Sequence, residues 1–220
     1  SEFGAVLHSD SWGDDTTAYT ARSYDLDAWS YENAYSLAFV APGNHGGLIL
    51  EPANARNVIS VAVVDSTENG SIWASSAHGP TEEGGRGIFM AAPGKAIVSA
   101  KGDGLKDSYN NESRVLSGTS MATPMASSYG AVLQQVIERE YNVSPSGSLL
   151  RALMAISADT ITNNTPDSIQ GFGRPNLSSV VDVTNGNISV WTHDSFQQDD
   201  WLSWYSQRGG SIENMVGKPW

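Results

Sequence analysis

Residues Ser117–Pro124 read Ser-Gly-Thr-Ser-Met-Ala-Thr-Pro. Their types and spacing could do chemistry at one alcohol. Gly118 lets the chain turn tightly just before a helix. Ser120 falls at or next to the N-cap, and Pro124 falls in the first turn, where a missing N–H is harmless. A helix start carries unpaired N–H groups and partial positive charge. An oxyanion formed beside Ser120 would be stabilised there, as attack of an alcohol on a carbonyl requires. The same features describe an ordinary N-cap serine, so other parts of the chain must separate the two readings.

The elements that would position this serine follow from periodicity. Ala5–Ser11 reads as a short strand ending in Trp12-Gly13. Asp25–Tyr35 places Leu26, Trp29 and Ala34 on one helical face. Ser36–Ala41 is an apolar strand broken by Pro42-Gly43-Asn44, Val58–Val64 is a second, β-branched strand, and Ala96–Ala100 is a third. A long helix is expected from Ser120 to about Tyr141. Met125, Tyr129, Val132, Leu133, Val136 and Ile137 recur along it at helical spacing, and Ala122, Ala126 and Gly130 would admit a neighbouring backbone. Its first half should be buried on most sides. Ser146 or Ser148 should cap a further helix that turns Leu149, Leu150, Leu153 and Ile156 inward. Strands alternating with helices predict an α/β fold, a mainly parallel sheet flanked by helices. Beyond about Val183 the texture changes. Residues 184–220 form a polar tail with Trp191, Trp201, Trp204 and Trp220, read as an extension or the start of a further domain.

Composition narrows the function. The chain has 220 residues, 40% of them hydrophobic, enough for one sizeable core. Net charge is −12 with only 12 Lys plus Arg, which argues against nucleic acid and anionic membrane as partners. No apolar run approaches the length of a membrane span. There is no cysteine, so disulfides and thiolate metal sites are excluded, and the composition suits many secreted enzymes. The N-terminus shows no signal-peptide pattern, so the chain reads as a mature protein or as a piece of a longer one. Six Asn-x-Ser/Thr sequons, at Asn69, Asn111, Asn142, Asn163, Asn176 and Asn187, would be glycosylation acceptors on a eukaryotic secretory route.

The segment Gly118-Thr-Ser-Met-Ala-Thr-Pro124 resembles the nucleophile motif of the subtilisin-like serine proteases at every position. Further landmarks resemble that family in the same order. Ala41-Pro-Gly-Asn-His-Gly46 is similar to its oxyanion segment, with Asn44 as the implied side-chain donor. Pro42 departs from the family's usual alanine, and it removes any backbone donation at that point. Ser9-Asp-Ser-Trp-Gly13 resembles the strand that pairs with a bound peptide, where Ser11, Trp12 and Gly13 would line the cleft by β-augmentation. Ala41, Pro42, Gly43, Gly118 and Thr119 would contact substrate as well. Ser75–Thr81, Met90–Gly94 and Gly171–Asn176 complete the resemblance, which covers about residues 5–183. It implies a peptidase domain over residues 1–183 and a polypeptide substrate. It implies no cofactor for the chemistry, although Asp14-Asp15, Asp65–Glu68, Asp103–Asp107 and Asp199-Asp200 are oxygen-rich stretches where structural Ca²⁺ could bind.

The family's aspartate strand and its histidine helix start are absent. Of the four histidines, His8, His45, His78 and His193, none matches the position of the family's base. The expectation is that these residues form the C-terminal part of a catalytic domain, lacking its N-terminal part. A separate N-terminal segment would then be the partner supplying Asp and His. Two other readings stand beside it. One is a pseudoprotease that binds or scaffolds peptides. The other is an acidic adhesion or carbohydrate-binding protein, suggested by the tail tryptophans.

Overall fold

The computed structural model describes residues 4–67, 70–162 and 166–181. The tail from residue 182 onward, with its tryptophans and His193, lies outside the described residues. So do Asn69, Asn163 and Asn187 among the sequons.

Among the described residues, four parallel strands form the sheet, in the order β1-β2-β3-β4. They are β1 (Leu7–Asp10), β2 (Leu37–Val40), β3 (Ile59–Val64) and β4 (Met90–Pro93). Leu7 pairs with Leu37, Phe39 with Ile59 and Val61 with Met90. Every residue of β2 and β3 is buried. Central parallel strands are covered on both faces and so read as continuous apolar runs.

Alternation along the strands shows which helix covers which face. Ala38, Val40, Ala62 and Val64 belong to one core cluster, and Leu26 and Trp29 of α1 (Ala21–Glu32) pack against it. Phe39 and Leu7 point the other way, toward α2 (Thr119–Tyr141). A Cβ on Gly130 would come within 2.8 Å of Phe39 Cζ, so the expected small-residue contact is a real close approach. Ala122, Ala126 and Gly130 are all buried.

Several expectations shift. The first helix starts four residues before Asp25 and ends at Glu32, which leaves Ala34 outside it and exposed. On α2, Met125 and Val132 are exposed at 46% and 40%, against the expected burial. Among the described residues the sheet covers one face of α2, and these two side chains lie off that face. In α3 (Gly147–Ile156) Ser146 is the cap, accepting the Leu149 N–H at 3.1 Å. Leu150 and Leu153 are buried as expected, but Ile156 is exposed and Met154 is buried instead. Met90–Pro93 forms an edge strand, where proline's missing N–H is tolerated. A two-stranded antiparallel ribbon joins β5 (Ile97–Ala100) to the unanticipated β6 (Ser113–Leu116). All of β6 is exposed, so it carries no apolar alternation to betray it. The chain turns back in the short α4 (Ser178–Val181). No helix among the described residues is long and apolar enough to cross a membrane.

Candidate active site

Ser120 is the second residue of α2, half-buried, just past the N-cap Gly118. The turn before it is tied to the end of β4. Gly118 donates its N–H to the Gly94 carbonyl at 2.8 Å, and Ser117 Oγ accepts the Ala96 N–H at 2.8 Å. This explains why Met90–Gly94 and the serine segment occur together, since one holds the other. Met121 and Ala122 donate to the Gly118 carbonyl. The Ser120 N–H has no partner among the described residues, as expected in the first turn of a helix.

Asn44 sits in the loop after β2. That loop is clamped by the segment Ser75–His78 through four backbone hydrogen bonds. Gly46 N–H donates to Ser75, Ala77 N–H to Gly43, His78 N–H to Gly47 and Ile49 N–H to His78, all at 2.8–3.0 Å. The Asn44 Oδ1 accepts from the Thr119 N–H at 2.8 Å and from the Thr119 hydroxyl at 3.1 Å. With its oxygen pinned on the residue before Ser120, the carboxamide leaves its Nδ2 donor with no partner among the described residues. Gly118 is part of this fit, because a Cβ there would lie 3.3 Å from Asn44 Oδ1 and 3.5 Å from Nδ2.

Ser11, Trp12 and Gly13 continue from the end of β1. Ser11 Oγ donates to the Ser120 carbonyl at 3.1 Å. The backbone groups of these three residues bond to no other described residue, which leaves them open to an added strand. A cavity of about 250 Å³ brings together Ser11, Trp12, Gly13, Ala41, Gly43, Asn44, Thr119 and Ser120. Eight of the ten expected residues therefore line one space. Gly118 and Pro42 do not line it, and the Pro42 carbonyl is taken by the Leu50 N–H at 3.0 Å.

The same cavity has walls that the residue pattern did not reveal, namely Asp14, Asp15, Leu50 and Glu51. Asp14 pairs with Arg22 at 2.5 Å. The Asp15 N–H, and then Arg22, hold its carboxyl below the ordinary carboxylate range. Glu51 is 4% exposed, accepts from the Thr20 hydroxyl and lies 3.6 Å from Arg22. The wall is acidic, and one arginine partly balances it.

No described imidazole hydrogen-bonds to Ser120. His8, in β1, packs edge-on against Trp29 at 4.9 Å. His45 lies beside Gly43 and Gly47, and His78 Nδ1 is 2.6 Å from the Gly79 carbonyl. Of the oxygen-rich stretches, Asp199-Asp200 lies outside the described residues, and several carboxylates of the others have partners already. Asp65 pairs with Lys95 at 2.9 Å, and Asp103 accepts from the Leu105 N–H at 2.9 Å and from Ser108. No group of three or more acidic or histidine side chains among the described residues could hold a metal ion.

A parallel sheet, an alcohol at a helix start beyond its strand ends, and an asparagine pinned beside that alcohol define a subtilisin-like α/β protein. Comparison with known proteins agrees. Residues 2–173 match the model of the subtilase family, and the chain belongs to that family of serine proteases. It is 31% identical over 193 residues to the serine protease AprX of Bacillus subtilis, covering 80% of this chain and 42% of AprX. It is also 31% identical over 151 residues to the serine protease/ABC transporter B family protein tagD of Dictyostelium discoideum, covering 60% of this chain and 8% of that protein. Among solved structures, the prenylagaramide maturation protease PagA superposes with a TM-score of 0.68 at 25% identity, over 84% of this chain and 64% of PagA. The patellamide maturation protease PatA superposes with a TM-score of 0.66 at 27% identity, over 84% and 65%. The chain thus spans less than half of AprX and under two thirds of these structures.

Proposed function

We propose that this chain carries the nucleophile and oxyanion hole of a serine endopeptidase. Ser120 Oγ attacks the scissile carbonyl of a polypeptide, and its proton passes to a histidine. The Asn44 Nδ2 and the Ser120 N–H donate to the oxyanion, the peptide C–N bond breaks with protonation of the leaving amine, and an acyl-enzyme on Ser120 remains. Water then attacks the ester and releases the acid. Ser11, Trp12 and Gly13 take the substrate backbone as an added strand.

The observation that carries this reading is the Asn44 carboxamide, whose oxygen is held by Thr119 while its N–H₂ has no partner among the described residues, in a cavity that Asn44 and Ser120 both line. The histidine and its orienting aspartate come from polypeptide outside these residues, on a partner N-terminal segment of the same protease. Two features support that placement. Ser120 Oγ has no described hydrogen-bond partner. The outer edge of β1 pairs with no described strand, while Met125 and Val132 lie exposed on α2. An open edge invites another strand. Secretion is part of this reading, and the cysteine-free composition is compatible with it.

Labelling with a fluorophosphonate tests the mechanism. Full-length protein should label at Ser120, and neither its Ser120→Ala variant nor these 220 residues alone should label. Labelling of the isolated chain would place a base within it and remove the need for a partner segment. Full-length protein that binds peptide but never labels would instead be a peptide-binding pseudoprotease.

A further inference from the structure

At the opposite end of the sheet from Ser120, a cavity of about 590 Å³ opens between the residues leading into β3 and β4, the loop Thr81–Gly87, and Arg151 of α3. It shares no lining residue with the Ser120 cavity. Its walls hold three guanidinium groups, each over an aromatic ring. Arg56 lies 5.9 Å from the Tyr19 centroid, Arg86 5.0 Å from Phe172 and Arg151 4.8 Å from Phe89. Phe89 and Phe172 pack on each other with centroids 5.1 Å apart.

The three arginines differ in what balances them. Arg56 pairs with Glu83 at 2.8 Å. Among the described residues, no carboxylate lies within 4.0 Å of Arg86 or Arg151. Arg151 is half-buried, and burial depresses its pKa, with only Asp27 acting against that. Asp27 is not its contact partner, and three donors already engage that carboxylate. Its Oδ2 accepts from the Tyr19 hydroxyl at 2.8 Å and the Arg56 N–H at 3.0 Å, and its Oδ1 accepts from the Asn57 N–H at 2.7 Å. One Arg151 donor, on Nη1, reaches the Arg56 carbonyl at 3.0 Å. The guanidinium has five donors in all. Glu82 also lines the cavity, but it is exposed and accepts from Thr17 at 2.8 Å. A partly desolvated cation with no carboxylate in contact is less favourable than one that an anion has reached.

We propose that this cavity binds a small organic oxyanion, an apolar body carrying one carboxylate or phosphate, through Arg86 and Arg151 with Phe89 and Phe172 as its apolar seat. The guanidinium fork matches both anions in a bidentate manner. The volume lies in the range of roughly 300–1,000 Å³ typical of ligand pockets. In a chain of net charge −12, two unpaired arginines on one wall are a local exception to the acidic surface. The assignment stands independently of the protease reading.

Calorimetric titration of the full-length Ser120→Ala protein with benzoate, phenyl phosphate, inorganic phosphate and the neutral isostere benzamide tests it. Saturable one-site binding of benzoate or phenyl phosphate is expected, at least about tenfold tighter than benzamide. The tighter of the two identifies the carboxylate or the phosphate as the matching group, and inorganic phosphate should bind more weakly than either because it lacks the apolar body. Arg86→Gln and Arg151→Gln should each weaken binding by roughly 10- to 100-fold, the loss of one charge-assisted hydrogen-bonding fork. Arg86 is exposed, so its variant keeps the fold even where Arg151→Gln loses stability. Equal binding of benzamide, unchanged affinity in Arg86→Gln, or no saturable binding of either organic anion would overturn the proposal.

Discussion

Replacing Asn44 by aspartate separates the two jobs of its carboxamide. The Asn44 Oδ1 accepts two hydrogen bonds from Thr119, at 2.8 and 3.1 Å, and the carboxylate of Asn44→Asp would keep an oxygen in that place. The Nδ2 donor is lost and a negative charge takes its position. Removing one oxyanion donor costs on the order of 10²–10³ in kcat, about 2.7–4 kcal/mol, a magnitude established on subtilisin itself. The added charge repels the developing oxyanion, so the loss should reach the upper end of that range or exceed it. KM should change little, because the donor acts on charge that exists only in the transition state. Asn44→Ala should lose the donor's roughly 10²–10³ without the added repulsion, and stability besides. It removes the acceptor of both Thr119 donors, on a residue that is 1% exposed, and leaves a buried N–H unpaired at about 1–3 kcal/mol. For a domain of this size that is about 2–4 °C of Tm per kcal/mol. The assays are kcat and KM on a fluorogenic peptide with the full-length enzyme, and thermal unfolding of each variant. Asn44→Asp activity within about threefold of wild type would refute the oxyanion role. Equal loss of stability in the two variants would refute the pinned-oxygen geometry.

Two further perturbations probe the site's frame and the chain's response to acid. Gly118→Ala puts a Cβ 3.3 Å from Asn44 Oδ1, which Thr119 prevents from yielding freely. Activity should fall several-fold, short of the roughly 10²-fold that a 1 Å displacement costs, and unchanged kcat would show that the carboxamide position is not critical. Asp167 accepts the Ile169 and Gln170 N–H groups at 2.8 Å each. Burial alone would raise its pKa, but these bonds, with the Gln170 and Thr162 side chains, outweigh it and hold the carboxyl below the ordinary range. A depressed folded-state pKa contributes stability that is present above the unfolded value, about 3.9, and is lost as pH falls through the folded value. The wild type should therefore be more stable than Asp167→Asn at neutral pH, with the two thermal stabilities converging in acid. A gap that stays constant down to the acid limit would contradict the shift.

How much of this could be read from residues alone depends on the range over which each feature is determined. The serine segment is local, since a glycine turn and an alcohol act within one turn of helix, and Ser120 stands at such a start, although Pro124, expected in that first turn, is the sixth residue of α2 and lies inside the helix. The apolar runs of β2 and β3 announced buried central strands for the same reason, because burial on both faces leaves no polar position. β6 went unread because all its residues are exposed. Met125 and Val132 were misread because helical spacing shows which residues are apolar but not how many faces a neighbour covers. Glu51 drew no reading from the sequence, because the Thr20 hydroxyl and Arg22 that meet it lie about 30 positions away. The residue types thus determined that Ser120 is an alcohol at a helix start and that an asparagine follows an apolar strand. Only the tertiary structure decided which way that asparagine faces. Its orienting partner, Thr119, is 75 positions away, and a side chain's hydrogen bond to so distant a residue depends on how the strands and α2 pack rather than on either residue's neighbours.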